Sequence, residues 1–177
     1  MRIRKRIYVI TCLLIIGNLL NCNVKDDKII SRQLFDLNWK FNNTDDLSAF
    51  QPDFNDQDWD SIDLPYNWAK DSPNTQIGWY RKHFKIPSNW INKNITLYFE
   101  GISEGYEIRV NEKVVSNTHK EKNAFQANIS PYLNASERNV VAIRIDSSKQ
   151  TKETHPSGAG IFGHAWLVIR GSSEQKE

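Results

Sequence analysis

Trp59, Trp68, Trp79 and Trp90 carry the rings in this chain best suited to stack on the apolar face of a pyranose, with Asn, Asp and Arg nearby to hydrogen-bond its hydroxyls. The competing role for each ring is core packing. Trp90 follows Pro87-Ser88-Asn89, a turn sequence, and is therefore placed in a loop where a ring can meet a ligand. Acid chemistry finds less support. Glu100, Glu104 and Glu107 crowd one stretch, but they fall in a strand, a turn and the start of the next strand, where carboxylates sit in solvent. His83, His119, His155 and His164 lack metal-ligand spacing, so no metal site is expected. Neither a glycine-rich phosphate loop nor a nucleophile elbow is present, and no cofactor is expected.

The elements that must carry these residues are strands. Ile95, Leu97 and Phe99 alternate with Thr96, Tyr98 and Glu100, and Ile108 and Val110 alternate with Glu107, Arg109 and Asn111. The period of two recurs at Val141, Ile143 and Ile145 against Ala142, Arg144 and Asp146, and at Tyr80, Phe84 and Ile86 against Arg81, His83 and Lys85. Further strands are predicted at Leu34 to Phe41, Ala124 to Ile129 and Gly163 to Arg170. Turn chemistry separates them at Pro87-Ser88-Asn89, Ser103-Glu104-Gly105, Asn111-Glu112-Lys113, Ser130-Pro131 and Pro156-Ser157-Gly158. Seven or eight half-buried antiparallel strands need a second sheet to cover their apolar faces. The expectation is an all-β antiparallel β-sandwich of the jelly-roll kind. Asp45 to Asp63 is polar, with at most a short helical turn around Asn55 to Trp59.

A formal net charge of +2, from 23 Lys+Arg against 21 Asp+Glu, argues against a basic face that reads nucleic acid, and 11% aromatic residues argue against disorder. That charge is weighted by the N-terminus. Arg2, Arg4, Lys5 and Arg6 precede an apolar run from Ile7 to Leu20, which is too short to span a bilayer and suits a secretory signal. Its end, Leu19-Leu20-Asn21-Cys22, resembles the lipobox of bacterial lipoproteins, although Asn21 stands where a small residue is usual. The resemblance makes Cys22 the lipidation site. Lys25-Asp26-Asp27 resembles a tag that sends lipoproteins to the outer face of the outer membrane, and it also reads as a solvated linker. Removal of residues 1–21 leaves 156 residues with a net charge of −2, because four basic and no acidic side chains depart. A membrane would then be held through lipid and not through charge. With Cys12 gone, Cys22 stands alone and no disulfide within the domain is expected.

The order of motifs along the rest of the chain resembles the N-terminal, sugar-binding, galactose-binding-like domain of glycoside hydrolase family 2, the family of many β-galactosidases, β-glucuronidases and β-mannosidases. The similarity runs through Asn38-Trp39-Lys40-Phe41, Phe54-Asn55-Asp56-Gln57-Asp58-Trp59 and Asp63-Leu64-Pro65-Tyr66-Asn67-Trp68. It continues through Gly78-Trp79-Tyr80-Arg81-Lys82-His83-Phe84, Leu97 to Ile102, Ile108 to Asn111, Asn139 to Asp146 and Ser157 to Leu167. Departures fall at Tyr66-Asn67, at Asn111-Glu112 in place of Asn-Gly, and at Phe162-Gly163, where the family's arginine is missing.

The resemblance implies that an Asn or Asp after the Leu-Pro motif and an Asp after the Val-Arg strand reach the rim of a neighbouring active site. Those roles fall to Asn67 or Asp71 and to Asp146, each of which also has a turn-forming reading. Together with Trp90 they make up the expected carbohydrate-binding set. In the family the catalytic carboxyls stand on a (β/α)8 barrel of about 250 residues, more than the 156 here can hold. No catalytic residue is therefore assigned. The expected organisation is a signal at 1–21, a polar linker at 22–33, a sandwich at 34–171 and a polar tail at 172–177. The expected function is noncatalytic carbohydrate binding beside a catalytic glycosidase partner. The alternatives are a truncated or split head of such an enzyme and a structural adhesion lipoprotein.

Overall fold

The computed structural model describes residues 28–68, 75–118, 123–149 and 159–171. The signal, Cys22, Asp71, His119, His155, the turn at Pro156-Ser157-Gly158 and the tail at 172–177 lie outside the described residues. Two antiparallel sheets pack face to face. One contains β1 (Ile29–Leu34), β12 (Ala165–Arg170), β6 (Asn94–Ile102) and β9 (Asn123–Asn128), extended past the end of β12 by β11 (Gly160–Ile161) and β4 (Tyr66–Asn67). The other runs β3 (Asp60–Ile62), β2 (Trp39–Asn42), β5 (Ile77–Phe84), β10 (Asn139–Asp146), β7 (Tyr106–Val110), β8 (Lys113–Thr118). The all-β sandwich expected from the alternation is what the chain forms.

Period-two patterning sets the core. Ile95, Leu97 and Phe99 of β6 and Leu167 and Ile169 of β12 face Tyr80 of β5, Ile108 and Val110 of β7 and Val141, Ile143 and Ile145 of β10, all of them buried. Each such side chain contributes about 1.5–3 kcal/mol relative to exposure. Aromatic rings close the gap between the sheets. Phe41 lies 5.0 Å from Tyr66, 5.2 Å from Tyr80 and 5.8 Å from Trp68, mostly edge to face. The polar ends of these rings are bonded: the Tyr80 hydroxyl donates to the Tyr66 carbonyl (2.8 Å), and the Trp39 indole donates to that of Phe35 (2.8 Å).

The twelve strands among the described residues exceed the seven or eight expected, and the additions have physical causes. β1 lies, as far as Gln33, within the stretch assigned to the linker. It shows no alternation because it is an exposed edge strand that pairs with β12 from Leu34↔Trp166 to Ile29↔Arg170. β8 is the partner of β7 in a hairpin, and β4 and β11 have two residues each, too few to show a period. The polar reading of Asp45 to Asp63 also changes. Its helical turn lies at Leu47–Phe50, capped by Asp46 through Ser48 N (2.9 Å), and not at Asn55 to Trp59. Ala49 and Phe50 cover Trp79 and Ala142, with Phe54 and Trp59 packed alongside, so the outer face of β5 and β10 is a second small core and not a wet surface.

The β7–β8 turn places Asn111 at φ 47° and Glu112 at φ 63°, the pair of left-handed residues that a two-residue type I′ hairpin requires. Asn111 tolerates this and uses its amide, donating to Tyr132 O (2.8 Å) and accepting from Val140 N (2.9 Å). Glu112 bears the strain for an exposed 3.4 Å contact with Lys113, which is worth little. Glu112→Gly should raise the unfolding free energy by about 0.5–1 kcal/mol, read as a higher urea midpoint at unchanged slope; an unchanged midpoint would contradict the strain.

Candidate carbohydrate-binding surfaces

The residues singled out from the sequence divide between the two ends of the sandwich. Asp146 pairs with Ile77 at one end of β5, and Asn67 pairs with Gly160 where β4 meets β11. Trp90 follows the opposite end of β5, beyond Phe84. Seven residues of strand separate the ends, roughly 24 Å, so the expected set is not one site.

At the first end, backbone geometry fixes the side chains. Ser147 N donates to Gln76 O (2.7 Å), and Asp146 N donates to Gly105 O (2.8 Å). Gly105 has φ 77°, and a Cβ there would collide with the Asp146 carbonyl, so the turn requires glycine. The Asp146 carboxylate accepts from Ser148 N (3.0 Å) and lies 3.5 Å from an Arg144 nitrogen. Partial burial works against its charge, but the Ser148 bonds and Arg144 outweigh that and hold its pKa below the usual carboxylate value. Arg144 is itself clamped by both oxygens of Asp45 (2.7 and 2.8 Å). Asp146 thus fills the turn-forming role. Asn67 is half-buried.

Trp68 and Trp79 are core and not ligand rings, both at 0% exposure. The Trp68 ring covers Gly78, where a Cβ would collide with it, and its indole donates to Thr75 O (3.3 Å). Trp79 lies 4.6 Å from Phe50 and donates to Asp45 (3.4 Å). Trp59 packs on Phe54 at 5.5 Å.

At the second end, Trp90 closes a 3-10 turn at Ser88–Trp90 and is partly exposed, with part of its ring against the main core. It borders a cleft of about 430 Å³ between this turn and the turn at Ser130–Tyr132, lined also by Ile86, Asn92, Lys93, Asn128 and Leu133. The size falls within the range of about 300–1,000 Å³ usual for small-molecule sites.

Several ionisable groups are occupied in structural pairs. Glu100 accepts from Arg32 (3.0 Å) and from the Trp166 indole (2.9 Å), while Arg32 stacks 3.8 Å over the Trp166 ring. Glu107 pairs with Arg109, which covers Phe50 at 4.0 Å. His164 sits 2.6 Å from the buried Asp36, whose carboxylate raises its pKa. Among the described residues, no three His, Cys, Asp or Glu side chains gather to hold a metal.

One buried network escaped the sequence reading. Arg81, at 0% exposure under the Leu47–Phe50 turn, donates from Nε to Asp56 (2.8 Å) and from Nη1 to the carbonyls of Ala49 and Gln51, the latter at 3.1 Å. His83 reaches the same Asp56 oxygen at 2.9 Å. Burial disfavours the Asp56 charge, yet the bonds from Arg81 and His83 win and its pKa is lowered; burial is what lowers that of His83. The signal for this network was the continuous apolar run Val140 to Ile143, which marks a strand buried on both faces.

The architecture defines an antiparallel β-sandwich with a ligand-sized cleft at one end. The pattern of the glycosyl hydrolases family 2 sugar binding domain matches residues 38–165, and the chain belongs to that family. A β-galactosidase, BoGH2A, of Bacteroides ovatus is 31% identical over 154 residues, covering 79% of this chain and 18% of that protein. The crystal structure of a family 2 member from Bacteroides cellulosilyticus superposes with a TM-score of 0.72 at 31% identity, covering 78% of this chain and 20% of that one. A Bacteroides uniformis β-glucuronidase gives a TM-score of 0.70 at 27% identity over 78% of this chain and 18% of that one. The chain spans about a fifth of the length of these relatives.

Because Asp56 neutralises a fully buried guanidinium, Asp56→Asn should lower the unfolding free energy by about 3 kcal/mol at pH 7. A depressed carboxylate pKa supplies stability above the unfolded value of about 3.9, which is lost as pH falls through the folded one. The gap between the native protein and the variant should therefore narrow below about pH 4. Urea titrations at pH 7 and pH 3 measure both effects, and a gap that stays constant would refute the assignment.

Proposed function

We propose that this chain is a noncatalytic carbohydrate-binding domain that acts beside a glycosidase module. The observation that carries this reading is the match of the family 2 sugar-binding pattern over residues 38–165 to a sandwich of the same fold. The relatives named as a β-galactosidase and a β-glucuronidase support β-galactosides or β-glucuronides as the ligand class. Cleavage of a glycosidic bond with retention needs two carboxyl groups about 5–5.5 Å apart on a rigid site, and Asp146, Glu100 and Asp56 are instead engaged in a turn and in ion pairs. By the family resemblance, the end of the sandwich that carries Asn67 and Asp146 is the surface that would meet a catalytic partner. The coverage of a fifth of each relative favours a second reading, the sugar-binding head of a longer family 2 glycosidase.

The N-terminal pattern supports export and lipid anchoring at Cys22, with the domain displayed on the outer membrane. No helix among the described residues is long and apolar enough to cross a membrane.

Electrophoresis of the purified chain through gels cast with a β-galactan or with a glucuronic-acid-containing polysaccharide should show retardation against a plain gel, and no release of chromophore from a nitrophenyl β-galactoside. Equal mobility in every gel removes the binding reading; hydrolysis removes the noncatalytic one. In bacteria fed radiolabelled palmitate, the wild-type chain should take up label and Cys22→Ser should not. Equal labelling of both would refute the anchor.

A further inference from the structure

We propose that the cleft beside Trp90 is a self-contained saccharide subsite that takes a pyranoside bearing a carboxylate. The inference rests on the carbohydrate-binding reading and assigns it a place that the implied rim residues do not.

The cleft is preformed. One wall is the turn that carries Trp90, held by Trp90 N to Pro87 O (2.9 Å) and Lys93 N to Trp90 O (3.0 Å). The other is the turn at Ser130, whose hydroxyl donates to Lys93 O (3.1 Å) and accepts from Ile95 N (2.7 Å). The Ile129 N to Ile95 O bond (2.8 Å) fastens this second wall to β6. Ordering a ligand there costs little rearrangement of the protein.

Its lining has the makeup that a sugar demands. Trp90 offers a partly exposed ring to the apolar face of a pyranose, and its indole N–H makes no bond among the described residues, leaving a donor for a hydroxyl. Asn92, at φ 64°, is an exposed amide at the tip of the turn. The charges then select the ligand. Lys93 is the one ionisable side chain lining the cleft, no Asp or Glu lines it, and the ammonium has no ion-pair partner among the described residues. An unpaired cation beside a neutral hydroxyl-binding surface favours a sugar whose C6 is a carboxylate over one whose C6 is a hydroxymethyl.

The test is a titration of the ¹⁵N-labelled chain with methyl β-glucuronide and, separately, with methyl β-galactoside. The Trp90 indole resonance is assigned by its loss in Trp90→Phe, a change that preserves an aromatic ring against the core. Methyl β-glucuronide should shift that resonance saturably, with an apparent affinity about threefold above methyl β-galactoside, and Lys93→Gln on the exposed turn should abolish the difference. Shifts confined to residues around Asn67 and Asp146 would overturn the cleft and leave the carbohydrate-binding reading standing. Equal affinity for the two glycosides overturns the carboxylate preference. No shift anywhere with either glycoside overturns the cleft and the β-galactoside and β-glucuronide reading together.

Discussion

The pairing of β5 with β10 is the constraint on which the rest of this molecule depends. These two eight-residue strands lie side by side from Asn139↔Phe84 to Asp146↔Ile77 and are covered on both faces. One face gives Tyr80, Val141, Ile143 and Ile145 to the space between the sheets, and the other gives Trp79, Arg81 and Ala142 to the small core under Ala49 and Phe50. A strand pair buried twice has no freedom to slip, because a shift of one residue would exchange the two sets. It therefore fixes the distance and orientation between the two ends of the sandwich, where the candidate binding surfaces lie.

The second of those faces also explains the charge placed inside it. Arg81 occupies a position that must be covered, and the cover brings a carboxylate with it: Asp56 reaches the guanidinium at 2.8 Å, and the carbonyls of the capping turn take the Nη1 donor. Replacing either partner alone would leave the other charge desolvated, which is why the segment from Asp45 to Trp59 behaves as part of the fold and not as a surface loop. Arg144 extends the attachment outward through Asp45, which also accepts from the Trp79 indole. Both arginines of the β5–β10 outer face are thus tethered to the covering segment.

What could be read from the sequence follows from which residues carry a periodic signal. β6, β7 and β9 were legible because each hides one face between sheets, so apolar and polar residues alternate as the pleat does. β1 was not, since an edge strand exposed along its whole length has no reason to alternate. The covering segment was missed for a related reason: Ala49, Phe50, Phe54 and Trp59 are spaced by its turns and not by any regular repeat. Among the rings, the sequence set Trp90 apart by the turn before it, but nothing local marked Trp68 and Trp79 as sealed by Gly78 and Phe50. Asp146 was recognisable as an acid at a strand end, yet its engagement with Ser148 and Arg144 depends on partners that only the fold brings near.

The two ends differ in what they can do without help. A rim that completes another module's active site needs only stable points from which chain can project, and β4 with β11, two residues each, provides them beside Gly105 and Gln76. A cleft that binds by itself must draw both walls, its ring and its polar groups from one chain. The Trp90 end does so, joining the turn after β5 to the turn after β9 through a single serine hydroxyl. On the proposal made above, affinity shown by the isolated chain belongs with the Trp90 end, and the Asn67 and Asp146 end is where a partner would supply an opposite wall.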